Sequence, residues 1–260
     1  MINQPPPLPF DLAAALAHLS HCDPCIARLI QEAMPFEPQI DHSQSPYEAL
    51  MEAIAYQSIS GKAAATIYAR VKELSTAGGT PTPHEMLKLK RPALRKAGLS
   101  GAKILAMKDL AQKTIDGIVP THAEALELSD EELVQRLVSV RGIGAWTVEM
   151  FLIFRLGRPD VLPIHDLGIQ KGWSVAYKKK HKPRPTELLI FGERWRPYRT
   201  VASWYLWRAF EKAGYAATNK IRNPKPKRKR TTPPSPKSST AKSKPAALKP
   251  KTRSKQPPTR

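Results

Sequence analysis

Cysteine is nearly absent: the 260 residues contain Cys22 and Cys25 and no others. Two thiols so close together make no disulfide framework, and no secretory signal accompanies them. The opening MINQPPPLPF lacks the charged and long apolar regions such a signal needs. No stretch approaches the roughly 20 apolar residues of a membrane span. The expectation is a reducing compartment and no membrane. His18, His21, Cys22 and Cys25 lack a second, separated Cys/His pair, so they read as helix and turn residues rather than zinc ligands. Strand signals are scarce as well. No sustained apolar–polar alternation occurs, and nearly every apolar run fits a helical period.

Acidic residues are the next shortage. Twenty-two Asp and Glu face 42 Lys and Arg, giving a net charge of +20 and a pI near 10.1. Such an excess suits a polyanionic partner. It is unevenly spread: residues 222–260 hold fourteen Lys and Arg and no acid, leaving six of the excess charges for residues 1–221. The tail is Lys, Pro, Ser and Thr with almost no large apolar residue, so it cannot offset its ordering entropy and is expected to be disordered. Its charge adds salt-dependent, sequence-independent affinity for nucleic acid. It reads as a nucleoid anchor in a bacterial source or a nuclear signal in a eukaryotic one.

The remaining chain divides into a proline-rich lead-in, residues 1–9, and a helical domain, residues 10–221. Ser45-Pro46-Tyr47-Glu48 carries the cap, proline and first-turn acid of a helix start. Gly61 opens an alanine-rich helix, and Gly101 opens another with Ile104, Leu105, Met107 and Leu110 at core spacing; Lys103 on it reads as solvated. Pro197 suits the first turn of the closing helix. The informative stretch is residues 131–173. Leu133, Leu137 and Val140 lie at helical spacing, Arg141-Gly142-Ile143-Gly144 breaks the helix, and Ala145 begins an apolar one. Gly142 and Gly144 tolerate positive φ and leave the backbone bare. Free N–H groups at the next helix start form a phosphate site. Pro163 disfavours helix at Leu162, so Asp166 is expected at or near the start of a third helix.

Val140 to Thr147, followed by Pro163-Ile164-His165-Asp166, resembles the helix-hairpin-helix DNA glycosylases, and within them the DNA-3-methyladenine glycosylase II group. The segments Ala53–Ala64, Gly98–Lys103 and Trp195–Trp207 are similar to the same family. The resemblance implies an all-α, two-lobed helical bundle with its hairpin at 131–156. One lobe holds the middle helices, the other joins the N-terminal segment to the C-terminal helix, and a central cleft lies between them. It implies a monomer that acts on double-stranded DNA with alkylated bases in base excision repair. A non-catalytic hairpin DNA binder and a glycosylase for deaminated or oxidised bases are the alternatives.

By the same resemblance, Asp166 is the catalytic carboxylate, with His165 structural or facing phosphate. Trp146 leads the base pocket, with Tyr56 and Trp204 as further aromatic candidates; some relatives have an aromatic where this chain has Met150. Gly142, Gly144 and Arg141 of the hairpin, with Gln57, Ser58 and Lys62, are the DNA contacts. Relatives commonly carry a longer residue at position 58; Ser58 is too short to fill a base-sized gap, so Gln57 or Tyr56 takes part of that role. Relatives that also nick the strand place a lysine at position 146, so Trp146 implies base release without strand cleavage. The C-terminal cysteines of iron–sulfur relatives are missing, so no cluster is expected. No other cofactor is implied, save a monovalent Na+ or K+ on the backbone carbonyls of Val138, Val140 and Ile143.

Overall fold

In the chain, a Ser or Thr followed three residues later by Glu marks one helix start after another. Ser45/Glu48, Thr82/Glu85, Thr121/Glu124 and Ser129/Glu132 all close reciprocal capping boxes, each satisfying two backbone donors that a helix start leaves unpaired. The structure, a computed structural model, describes residues 8–33 and 35–222. Most of the proline-rich lead-in and the basic tail from residue 223 onward lie outside the described residues.

Among the described residues the elements are helices, with no strand. In order they are α1 (Leu12–Cys22), α2 (Pro24–Glu32), α3 (Pro46–Tyr56), α4 (Gly61–Lys72), α5 (Pro83–Lys88), α6 (Arg91–Lys96) and α7 (Gly101–Ile115). Then follow α8 (His122–Glu127), α9 (Asp130–Val138), α10 (Ala145–Phe154), α11 (Leu167–Ala176), α12 (Pro185–Gly192), a 3-10 turn (Glu193–Trp195) and α13 (Arg199–Arg222). Pro197 is a correction to the sequence reading: it stands before α13 rather than inside its first turn.

Two apolar cores result. One gathers Leu50, Ile54, Met86, Leu94, Met107, Leu110, Leu133, Leu137, Val148 and Leu152 from α3 to α10. The other gathers Leu19, Ile26, Ile169, Leu188, Trp195, Val201 and Leu206, so the first two helices join the last three. Trp207 packs against both cores. The seam runs beside it.

In the second core α11 lies hard against α13. A Cβ on Gly172 would stand 2.0 Å from the backbone oxygen of Leu206, so only glycine permits this approach. Asp23, 2% exposed, anchors the same core. Its Oδ1 caps α2 by accepting from the N–H groups of Cys25 and Ile26, and its Oδ2 accepts from Tyr177 Oη and Trp195 Nε1. Burial, then the Asp23 contact, pushes the Tyr177 phenol well above its ordinary range.

Candidate active site

Helix α10 is apolar nearly all round, which suits a helix between two neighbours. Val148, Phe151, Leu152 and Ile153 are buried. Trp146, Met150 and Phe154 recur every four residues and so share one face. With Ala49, Glu52, Ala53, Tyr56 and Gln57 of α3 and its end, that face lines a cavity of about 340 Å³, at the small end of ligand pockets. Trp146 remains 48% exposed and Tyr56 38% exposed; large aromatics left this open in a cavity wall are available to a ligand.

Asp166 is the N-cap of α11. Its Oδ1 accepts from the Ile169 N–H at 2.8 Å and from Trp207 Nε1 at 2.9 Å, and its Oδ2 accepts from Trp146 Nε1 at 2.8 Å. Two indoles and a helix start therefore fix the carboxylate at the edge of the cavity. Trp207 also stacks on Phe154, with ring centroids 5.9 Å apart. Gly168 makes room for this: a Cβ there would lie 2.8 Å from Trp207 Cδ1 and 3.0 Å from Asp166 Oδ1. The loop before Asp166 is pinned by ion pairs of Asp160 with Arg196 and Arg199 and of Arg158 with Asp130.

The hairpin stands next to the cavity. Gly142 has φ +79°, and a Cβ on it would meet Ala106 Cβ at 3.3 Å. Gly144 begins α10 with no side-chain cap, which leaves the helix start open to an anion. The Arg141 N–H donates to Asp109 Oδ2, while its side chain is exposed. Gln57 Nε2 donates to the Gly142 carbonyl at 2.8 Å, bringing the α3–α4 junction to the hairpin. Ser58 in that junction is exposed with φ 59°, and Lys62 is exposed on the first turn of α4. The Val140 carbonyl accepts from the Ile143 N–H. Val138 ends α9.

Three charged groups complete the picture. Burial, with the Asp166 charge adding to it, pushes the Glu149 carboxyl up to about 7; its Oε2 is buried without a partner. Glu52 Oε2 accepts from Gln44 Nε2 at 2.9 Å and lies 3.6 Å from the Arg155 guanidinium, which also pairs with Asp41. Lys103 departs from the solvated reading: its ammonium donates to the Ala55 carbonyl at 2.7 Å, capping the last turn of α3, and partial burial lowers its pKa. Among the described residues no group of three His, Cys, Asp or Glu side chains is placed to hold a metal ion, and no helix is long and apolar enough to cross a membrane.

Residues 51–197 match the family described as HhH-GPD superfamily base excision DNA repair protein. The chain belongs to this superfamily. Within it, the chain is 40% identical over 205 residues to DNA-3-methyladenine glycosylase 1 of Schizosaccharomyces pombe, covering 78% of this chain and 90% of that relative. The fold is similar to the solved Schizosaccharomyces pombe 3-methyladenine DNA glycosylase in complex with abasic DNA (TM-score 0.66, 41% identity, 75% of this chain and 95% of that one). It is also similar to a DNA-3-methyladenine glycosidase from Bacillus halodurans (TM-score 0.71, 30% identity, 77% and 91%). The all-α architecture of the superfamily is the one observed.

One pocket assignment needs correction. Trp204 is 8% exposed and sits in the second core against Phe36, Tyr205 and Arg208; it does not line the cavity. The indole of α13 that reaches Asp166 beside Trp146 is Trp207, three residues on, which the sequence reading passed over together with Phe154. Phe154 was legible, lying two four-residue steps beyond Trp146. Trp207 was not, because α13 is apolar on several faces and only the packing of α11 against it selects one tryptophan.

Proposed function

We propose that this protein is a monofunctional DNA glycosylase that hydrolyses the N-glycosidic bond of alkylated purines, of the 3-methyladenine and 7-methylguanine type, and leaves an abasic site. The observation that carries this reading is the Asp166 carboxylate fixed by two indoles, one of which, Trp146, stands in the wall of an aromatic cavity. The target atom is out of reach in a stacked duplex, so the nucleotide swings out into that cavity. An electron-poor cationic purine is held on the faces of Trp146, Phe154 and Tyr56, with Met150 beside them. As the bond lengthens, positive charge grows on the sugar, and Asp166 stabilises it. Oδ2 accepts from one indole and keeps a lone pair with which to orient the capturing water. With Trp146 where strand-nicking relatives have lysine, no Schiff base with the sugar forms.

DNA is held by the bare N–H groups at Gly142 and Gly144, by Arg141 and Lys62, and by Gln57 and Ser58 facing the gap left in the duplex. The protein works as a monomer on double-stranded DNA. The carbonyls of Val138, Val140 and Ile143 suit a monovalent cation. They are neutral oxygens; those of Val138 and Val140 lie at and just past the C-terminal end of α9, where the helix carries partial negative charge, and Lys113 already donates to the neighbouring Ser139 carbonyl. A bound cation there would neutralise part of the phosphate's charge. A purely DNA-binding role has no use for a carboxylate held in this way.

The test is base release from methylated duplex DNA. Asp166→Asn is expected to slow release of 3-methyladenine and 7-methylguanine by about a hundredfold or more, while binding to an abasic-site duplex stays within a fewfold of the parent. Equal release rates for parent and variant would refute the assignment.

A further inference from the structure

We propose that Glu52 is a specificity-determining residue that selects lesion bases carrying a formal positive charge. This role rests on the glycosylase reading and extends it to the end of the cavity remote from Asp166. Arg155, the C-cap of α10, lies nine residues beyond Trp146, roughly 13 Å along the helix axis. Glu52 lines the cavity and sits by Arg155. Trp146 marks the sugar end, beside Asp166. Glu52 therefore marks the end that the far edge of a flipped base reaches.

The local charge balance is negative. Arg155 lies between two carboxylates, Asp41 and Glu52. One guanidinium shared by two carboxylates leaves the cluster with an excess negative charge. Asp41 stands outside the cavity wall and holds Arg155 more closely than Glu52 does, so the guanidinium is compensated from outside and the uncompensated charge falls on Glu52. The other residues lining the cavity, apart from Arg155, are uncharged: Ala, Leu, Tyr, Gln, Trp, Thr, Met and Phe. Gln44 Nε2 holds the same Glu52 oxygen that faces Arg155, so the carboxylate is positioned and not free to swing away.

Purines methylated at N3 or N7 carry a positive charge spread over the ring. A carboxylate against that ring attracts it, and the aromatic walls exclude much of the water that would screen the pair. The attraction belongs to the bound substrate. When the glycosidic bond breaks, its electron pair goes to the base, the base becomes neutral, and the positive charge moves to the sugar. Glu52 therefore strengthens binding without assisting bond cleavage, whereas Asp166 acts on the charge that grows. The two carboxylates divide the work between KM and kcat.

The experiment uses the full chain and two kinds of duplex, one with 7-methylguanine, which is cationic, and one with 1,N6-ethenoadenine, which is neutral. Binding is measured on versions whose lesion nucleotide has a 2′-fluoro sugar to block hydrolysis, and turnover on the ordinary sugar. Glu52→Gln should weaken binding to the 7-methylguanine duplex, and raise KM, by about five- to tenfold. Binding to the ethenoadenine duplex should stay within twofold of the parent, and kcat on 7-methylguanine should hold or rise, because the attraction is lost as the bond breaks. Glu52→Asp, which keeps the charge, should restore most of the difference. Glutamine retains an acceptor for Gln44, and a thermal melt checks that the fold is kept. Equal weakening on both duplexes, a loss confined to kcat, or no recovery with aspartate overturns the role. A parent that releases 7-methylguanine while showing one of these patterns sinks Glu52 alone; a parent that releases neither lesion sinks the glycosylase reading and this role with it.

Discussion

Replacing Glu149 with glutamine should flatten part of the pH dependence of stability. The carboxyl stands on α10 with Oε2 buried and unpartnered, and its pKa is raised from 4.5 to about 7 by burial first and by the Asp166 charge second. Between those two pH values the folded protein holds a proton that the unfolded chain has released. Stability from this group therefore falls as pH rises from about 4.5, and the cost is complete above about 7. Taken at face value the shift corresponds to about 3 kcal/mol; partial exposure of the side chain reduces this to about 1–2 kcal/mol. Denaturant melts at pH 5 and pH 8 isolate it, because contributions of other groups cancel between parent and variant. Relative to the parent, Glu149→Gln should gain about 1–2 kcal/mol on going from pH 5 to pH 8, or roughly 3–6 °C in Tm. A parent–variant gap identical at the two pH values would show that Glu149 ionises normally in the folded state, and the burial argument would fail.

Two further substitutions test the scaffold. Gly168→Ala places a methyl 2.8 Å from Trp207 Cδ1; the indole must leave Asp166, and single-turnover base release should fall by about one to two orders of magnitude, with a Tm loss of a few degrees. An unchanged rate would show that the Trp207 hydrogen bond does not position the carboxylate. Asp23→Asn keeps the cap on α2 but leaves the Tyr177 hydroxyl or the Trp195 N–H without an acceptor, a loss of about 2–4 kcal/mol. Thermal unfolding reads it directly, and a shift under 2 °C would refute the keystone role.

Local chemistry made much of this legible in the sequence. Ser45 and Ser129 start their helices where their Glu partners three residues on say they should, and Gly142 turns with positive φ. Asp166 caps a helix three residues after Pro163, which keeps Leu162 out of helix. What could not be read depends on packing across long separations. Nothing near Lys103 announces that its ammonium reaches the Ala55 carbonyl on another helix. Trp204 and Trp207 are equally aromatic in the sequence, and the choice between them is made by the rotation of α13 against Gly172. Nothing in the sequence marks Glu149 for burial, which follows from α10 being enclosed on more than one side.

The bare α-carbon of Gly168 has a consequence for how such a chain can vary over time. It is the space into which the edge of the Trp207 ring fits while reaching Asp166. Any larger residue at 168 evicts the ring, and a smaller residue at 207 leaves a hole above the glycine. The two positions are bound to be inherited as a pair, and lineages that have lost the indole are the ones free to carry a side chain at 168.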